Sequence, residues 1–275
     1  MPEGDTLHRL AARHAPALIG RAVRSFSLAR RADDVSAIVG TTITGVEARG
    51  KNLLVHFSID RTLHVHLAMR GRVELSTREG PRRGGEIVAV LETERSVVIV
   101  RSAPVARLVR TRDLHRDRAF RDLGPDLLAR TFEDAEALVR VRLRNDRPLG
   151  EVLLDQGAVS GIGNVWKSEL CFLGELDPFA PVSRCSDEEL ASLFARARTL
   201  MRAAVDAPRR RVPDPFTPRA SRVARDRPRR GESPLSVYDR AGQPCYACGT
   251  LIASATQGNV TPRITYVCPT CQPRR

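Results

Sequence analysis

The stretch Leu153-Leu-Asp-Gln156-Gly-Ala-Val-Ser-Gly-Ile-Gly163-Asn164-Val-Trp-Lys-Ser-Glu169 reads as the end of one helix, a glycine-punctuated turn and the start of another. Gly161 and Gly163 let the backbone come close to a phosphate, because neither carries a Cβ. A helix that opens just after such a turn offers unpaired N–H groups and the positive end of its dipole to an anion. Asn164 stands where it can cap the new helix or bond that anion, and taken by itself the cap is the more common use.

Helical signals surround this turn. They begin after Gly124-Pro125-Asp126, where Thr131-Phe-Glu-Asp134 resembles a capping box before a periodic stretch to about Leu143. Helices are expected over Leu149 to Gln156, from Asn164 to Phe172, and from a second capping box at Ser186-Asp-Glu-Glu189 to about Val205. Residues 206 to 231 then hold nine Arg, three Asp and five Pro, a net charge of +6, with little that is apolar. Such a segment reads as a basic linker, either a solvated tether or a track for a nucleic-acid backbone.

Past the linker, Cys245-Tyr-Ala-Cys248 and Cys268-Pro-Thr-Cys271 stand 19 residues apart. Two such knuckles can close four thiolates around one structural Zn²⁺, leaving no open coordination position for catalysis. Disulfides or redox pairs are the alternatives, and a disulfide scaffold conflicts with an opening, MPEGDTLHRL, that carries charge where a secretory signal needs an apolar core. Cys171 and Cys185 are isolated and read as small buried hydrophobes. Between the knuckles, Gln257 to Val267 alternates like a hairpin and would present Arg263, as a phosphate clamp or as a solvated surface charge.

Toward the N-terminus the period changes. Residues 5 to 18 read as one helix, capped by Asp5 or Thr6 and closed by Pro16-Ala-Leu-Ile-Gly20. Six strands follow by alternation: Ala22 to Leu28, Thr42 to Glu47, Asn52 to Phe57, Thr62 to Met69, Ile87 to Leu91 and Val97 to Val100. Six or more short strands in about 100 residues suggest a sandwich or barrel. The fold class is therefore α+β multidomain, with an N-terminal helix plus β-sandwich over 1–123, an α-helical domain over 124–205, the linker over 206–235 and a four-cysteine zinc-finger hairpin over 236–275.

The charge points to a partner. Lys and Arg number 45 against 32 acidic residues, a net of +13. A basic surface gains affinity for nucleic acid by releasing counterions, although a basic composition also serves solubility. Of the 45 cations only Lys51 and Lys167 are lysines, so a retained Lys hints at a need for a compact ammonium. No apolar run is long enough to span a membrane, and a cytoplasmic location is expected. At the start, Pro2 would become the terminal residue once Met1 is removed. Its secondary amine, with a pKa near ~8, would be partly neutral and able to attack a sugar C1′. Glu3 beside it could protonate the opening sugar ring. Alone, this motif is weak, since Met-Pro-Glu openings are common.

Together the motifs resemble the formamidopyrimidine-DNA glycosylase/endonuclease VIII family over nearly the whole chain. The match runs through Pro2-Glu3-Gly4, Arg49-Gly50-Lys51-Asn-Leu-Leu, His66-Leu-Ala-Met69-Arg-Gly71, Gly124-Pro125-Asp126, Leu154-Asp155-Gln156 with Gly161-Ile-Gly163-Asn164, and Arg263 five residues before Cys268. The resemblance implies a helix–two-turn–helix domain and base excision repair on double-stranded DNA carrying oxidised bases or abasic sites, with single-stranded DNA left open, by a monomer. It implies Pro2 as nucleophile, Glu3 as general acid and Lys51 as a phosphate-holding catalytic residue. Asn164 and Arg263 become phosphate ligands, Gly163 and His66 DNA-contacting positions, and Met69 the apolar wedge that fills the gap left by a flipped nucleotide.

Two departures matter. Position 6 is Thr, where family members often carry a second carboxylate. Ser102-Ala-Pro-Val-Ala106 lacks the Phe and Arg that the 8-oxoguanine branch places in that loop. The chain is thus closer to the endonuclease VIII branch, and its opening resembles the actinobacterial second paralogue. Oxidised pyrimidines and β,δ-elimination are the implied substrate class and outcome. A paralogue that binds damage without reacting, a lyase acting on abasic sites alone and an RNA-associated zinc protein are the alternatives.

Overall fold

A computed structural model of the chain describes residues 2–29, 35–76, 85–206, 235–259 and 262–274. The chain divides into two compact units, Met1–Asp122 and Leu123–Arg275. The expected linker falls almost wholly outside the described residues.

In the first unit, α1 (Gly4–Leu18) precedes eight strands: β1 (Val23–Leu28), β2 (Ile43–Arg49), β3 (Asn52–Phe57), β4 (Thr62–His66), β5 (Arg72–Ser76), β6 (Ile87–Thr93), β7 (Val97–Arg101) and β8 (Val105–Val109). They form two antiparallel four-stranded sheets, ordered β1-β6-β7-β5 and β2-β3-β4-β8. Phe26, Val73, Leu91, Val98 and Val100 of one sheet and Leu53, Val55, Phe57, Leu63 and Val65 of the other bury their side chains in a common core, which makes a sandwich. Leu7, Ala11 and Leu18 add the buried face of α1 to that core.

Several expectations need correction. Helix α1 begins at Gly4 with Glu3 at its cap, not Asp5 or Thr6, and it runs through Pro16 to Leu18. Strand β4 stops at His66 instead of Met69, because Ala68 turns into the left-handed region (φ 47°). Strands β5 and β8 were not expected. Both lie at sheet edges and span only five residues, a length at which alternation is a weak signal.

In the second unit, after a short helix α2 (Arg118–Arg121) that closes the first, come α3 (Asp134–Arg142), α4 (Leu149–Leu154), α5 (Asn164–Leu173) and α6 (Asp187–Asp206). The capping box at Ser186 is present: Glu189 N–H donates to Ser186 Oγ (3.2 Å) and Ser186 N–H to Glu189 Oε2 (2.9 Å). The box expected at Thr131 is not. Helix α3 starts at Asp134, and Glu133 at its cap makes no side-chain cap bond. The cysteine finger carries β9 (Ala253–Gln257) and β10 (Arg263–Val267), paired antiparallel. Its Val237, Cys245, Ile252, Cys268 and Cys271 share one core with Trp166, Leu170, Leu193 and Phe194 of the helices. Glu169, wholly buried on α5, pins the entry to the finger by accepting N–H bonds from Ser236 (2.8 Å), Val237 (2.9 Å) and Tyr238 (2.9 Å). Among the described residues no helix is long and apolar enough to cross a membrane.

Candidate active site and nucleic-acid interface

Each unit carries its own group of the residues singled out above. In the first, Pro2 and Met69 line one cavity of about 600 Å³, with Thr6, Arg70, Arg101 and Ser102 among its walls. Met69 reaches it from a tight turn in which Gly71 N–H bonds Leu67 O at 2.8 Å. A Cβ at Gly71 would come within 2.4 Å of that carbonyl, so the closure demands glycine there. The turn holds Met69 at 63 % exposure, unusual for so large an apolar side chain. Glu3 is wholly buried at the first turn of α1, where the helix dipole favours a carboxylate. Asp5 is also wholly buried, and position 6, where the family often has a carboxylate, presents Thr6 to the cavity.

Lys51 occupies the second position of the two-residue turn between β2 and β3. Gly50 takes the first, with φ 56°, the glycine-first pattern of a tight hairpin. His66 lies beside it on β4. Burial lowers the pKa of His66, the Lys51 charge lowers it further, and a hydrogen bond to the Lys51 backbone opposes both. Asn52 organises the imidazoles here: its Oδ1 accepts from His64 Nε2 (2.9 Å) and from His66 Nδ1 (3.2 Å). Arg107 Nε donates to His64 Nδ1 (3.3 Å) while its Nη2 is held by both oxygens of Asp117 (2.8 and 2.7 Å). Burial first, then the Arg107 charge, push His64 down to about 4, so it is neutral near pH 7 and can accept the Arg107 bond. Lys51 and His66 are not among the residues lining the Pro2 cavity.

In the second unit the glycine-punctuated turn is built by side chains that sequence already isolates. Gln156 Nε2 donates to Leu154 O (2.9 Å) and Ile162 O (3.1 Å), and its Oε1 accepts from Gly161 N–H (3.0 Å). Gly161 adopts φ 109°. Asp155 accepts from Arg144, Arg147 and Gly157 N–H (2.7, 3.0 and 2.9 Å). Burial alone would raise its pKa, but these partners hold it below the ordinary value. Gly124 N–H bonds Gln156 O (2.8 Å), and a Cβ at Gly124 would meet Ala158 O at 2.4 Å, which accounts for the glycine in Gly124-Pro125-Asp126.

Asn164 is the first residue of α5, not its cap; Gly163 takes the cap. The Asn164 amide instead donates to Ile264 O at 2.8 Å, next to Arg263 in sequence. The structure therefore brings Asn164 against the strand that carries Arg263. Arg263 is half-buried at the first position of β10 and not at a hairpin tip.

The ligand atoms of Cys245, Cys248, Cys268 and Cys271 all lie within 4.8 Å of one another. Sγ–Sγ separations of 4.0 Å (Cys245 to Cys271) and 3.4 Å (Cys248 to Cys268) bracket the ~3.8 Å edge of a tetrahedron with ~2.3 Å Zn–S bonds. Ala247 N–H (3.4 Å) and Cys271 N–H (3.5 Å) point at the Cys245 and Cys268 sulfurs, as thiolate ligands require. The four cysteines fit one tetrahedral metal. Cys171 and Cys185 pack in the helical core, where burial pushes the Cys171 thiol up to about 12.

The arginines of the cavity wall were missed by sequence reasoning. Among so many, Arg70 beside Met69 and Arg101 at the end of β7 carry no distinguishing signal. Arg101 is 3 % exposed, with Nη1 donating to Gly85 O (3.1 Å) and Nε 3.5 Å from Glu74 Oε2.

Comparison with known proteins agrees with this layout. The family model for the formamidopyrimidine-DNA glycosylase N-terminal domain matches residues 1–115, and that for its H2TH domain matches residues 123–213. A probable endonuclease 8 2 of Streptomyces coelicolor is 37 % identical over 278 residues, covering 99 % of this chain and 94 % of its own. A protein of Mycolicibacterium smegmatis named DNA-(apurinic or apyrimidinic site) lyase Nei2 is 33 % identical, covering 99 % of both chains. Among solved structures, Lactococcus lactis Fpg in complex with DNA containing N7-benzyl-Fapy-dG superposes with a TM-score of 0.80. The same enzyme bound non-covalently to DNA containing an AP site gives 0.79. At 20 % identity over 99 % of this chain and 100 % of theirs, these structures establish the fold.

Proposed function

The chain belongs to the formamidopyrimidine-DNA glycosylase/endonuclease VIII family, and we propose that it excises oxidised pyrimidines through Pro2 and then cleaves the strand by β,δ-elimination. The coarser function, a DNA glycosylase and abasic-site lyase of base excision repair, follows from the family. The observation that supports Pro2 as the nucleophile is that Pro2 and the exposed Met69 line one cavity walled by arginines, and the pyrimidine preference rests on Ser102 to Ala106 lacking the Phe and Arg of the 8-oxoguanine branch. A nucleotide drawn out of the duplex would leave a gap for Met69 and bring its sugar to Pro2.

Once Met1 is removed, the Pro2 amine, near pKa ~8 in its ordinary state, has a neutral fraction that can attack C1′. The base leaves as that bond forms and takes up a proton while the nitrogen gives up its own, and the freed nitrogen lone pair then breaks the C1′–O4′ bond to yield an iminium ion. Glu3 is the candidate to protonate the ring oxygen as the sugar opens. The iminium makes the C2′ proton acidic, so its removal expels the 3′ phosphate, and removal of a second, C4′ proton then expels the 5′ phosphate. Lys51 is assigned to a backbone phosphate near the lesion, with His66 beside it, and Asn164, Gly163 and Arg263 to further phosphates. Zinc held by Cys245, Cys248, Cys268 and Cys271 would fold the finger that carries Arg263, and contributes nothing to the chemical steps.

A panel of duplexes and single strands carrying thymine glycol, 5-hydroxyuracil, 8-oxoguanine or a plain abasic site tests the substrate class. Oxidised pyrimidines should be incised faster than 8-oxoguanine by at least about tenfold, the discrimination that one or two pocket contacts provide. Equal or faster incision at 8-oxoguanine would overturn this assignment. Thr6 in place of a carboxylate favours a second reading, a lyase acting on abasic sites alone. Abasic strands cut with no base released from any lesion would establish it.

A further inference from the structure

Lys167, on α5, is wholly buried. Burying an ammonium is costly unless fixed partners replace its water, and Lys is the more strongly hydrated of the two long cations. Its partners include Asn164 Oδ1 at 2.7 Å and Thr265 Oγ1 at 2.6 Å. Lysine has three donors and no acceptor, so it can face only the oxygen of the Asn164 amide. The nitrogen end is thereby turned to the finger hairpin, where it donates to Ile264 O at 2.8 Å. An amide nitrogen has two N–H donors, of which this bond takes one.

The second contact reaches the strand of Arg263. Thr265 lies two residues further along β10, on the same face, and its hydroxyl donates to Gln257 Oε1 at 2.8 Å. Gln257 pairs with Arg263 across the hairpin and donates its own Nε2 to Pro178 O at 2.7 Å. A Cβ at Gly150 would strike Gln257 Oε1 at 2.4 Å, so the glycine leaves room for this relay. One buried ammonium therefore joins the turn that presents Asn164 to the hairpin that presents Arg263.

We propose that Lys167 is the positioning residue of the phosphate clamp, fixing the orientation of the Asn164 amide against the hairpin without touching DNA itself. The proposal rests on the reading of Asn164 and Arg263 as phosphate ligands. Without the ammonium, the Asn164 amide can turn over and present its oxygen to a phosphate, which repels it.

The test is a double-mutant cycle on the full chain, read as Kd for a duplex with a tetrahydrofuran abasic analogue. Lys167→Met and Asn164→Ala should each weaken binding on the order of tenfold, and the double variant should be within about twofold of Asn164→Ala alone. The single-turnover rate at saturating abasic DNA should hold for Lys167→Met, placing the effect in binding and not in chemistry. Wild-type affinity of Lys167→Met, or losses that multiply in the double variant, would overturn the proposal; the second result is what general loosening of the fold would give. Wild-type affinity of Asn164→Ala would overturn the clamp itself, and the role of Lys167 with it. Should Lys167→Met fail to fold, a crystal structure of the wild-type chain with the same duplex decides. The phosphate should lie on Asn164 Nδ2 with Lys167 Nζ still on Oδ1, and a phosphate on Lys167 Nζ would refute the assignment.

Discussion

The two units place their functional groups in opposite ways. In the first, Pro2 belongs to the chain end, Met69 to an exposed tight turn and Lys51 to a two-residue hairpin turn. Little of the sandwich core depends on them. In the second, Asn164 and the strand of Arg263 are joined by Lys167, and the hairpin hangs on four cysteines packed in the same core as Trp166 and Phe194. On the proposed assignment, chemistry is carried by groups the fold can lose, and the phosphate grip by groups that are themselves structure. Substitutions should accordingly separate activity from stability in the first unit and couple them in the second.

The largest separation is expected at Pro2. Pro2→Gly should lower the rate of incision on the order of a thousandfold while the melting temperature of the first unit stays put, since the ring-held secondary amine is replaced by a mobile primary one and no core group is lost. A parallel fall in stability would break the contrast. At the other pole, Cys268→Ser removes one of four thiolates. Structural zinc sites contribute about 10 kcal/mol or more of apparent binding energy, so metal content, protection of the finger amides and DNA binding should fall together. Normal binding by a metal-free protein would show that the finger stands without its ion. Met69→Ala should slow incision by about tenfold to a hundredfold, with melting changed by less than about 0.5 kcal/mol, because the side chain is exposed.

A smaller effect sharpens the contrast through pH. All six histidines lie in residues 1–122. Burial, reinforced by Arg13 and Arg107 respectively, holds His14 and His64 down to about 4, against an ordinary value near 6.5. The folded state disfavours their charged forms, so the unfolded chain takes up protons first. The stability they contribute is complete above pH 6.5 and is lost as the pH falls toward 4. Two such groups give a slope of about 2.7 kcal/mol per pH unit at most, at about 1.4 for each proton of difference. Hydrogen exchange between pH 7 and 5 should show amides of the first unit losing protection ahead of α5 and α6. Equal loss in both units would contradict this.

The same contrast governs what sequence could disclose. The turn before α5 was legible because Gly161, Gly163, Gln156 and Asn164 are residue types with few other uses in an apolar run, and the cysteine spacing speaks for itself. Burial was not legible: nothing local says that Lys167 lies inside the core, or that Asn164 bonds a strand 100 positions away. The strands β5 (Arg-Val-Glu-Leu-Ser) and β8 escaped because each is only five residues long, too short for alternation alone to separate a strand from a loop. Pro2, Glu3 and Lys51 carry only weak local signatures. Only their joint occurrence with the distant motifs singles them out.

The central claim is that the Pro2 nitrogen attacks the sugar. Borohydride reduction of the full chain on abasic DNA, followed by digestion and mass analysis of the crosslinked peptide, tests it most directly. The account predicts a covalent complex joined through the Pro2 nitrogen of a chain lacking Met1, and none of that adduct with Pro2→Gly at matched DNA occupancy. A crosslink on Lys51 or Lys167, or no crosslink from a protein that still cuts the strand, would contradict it.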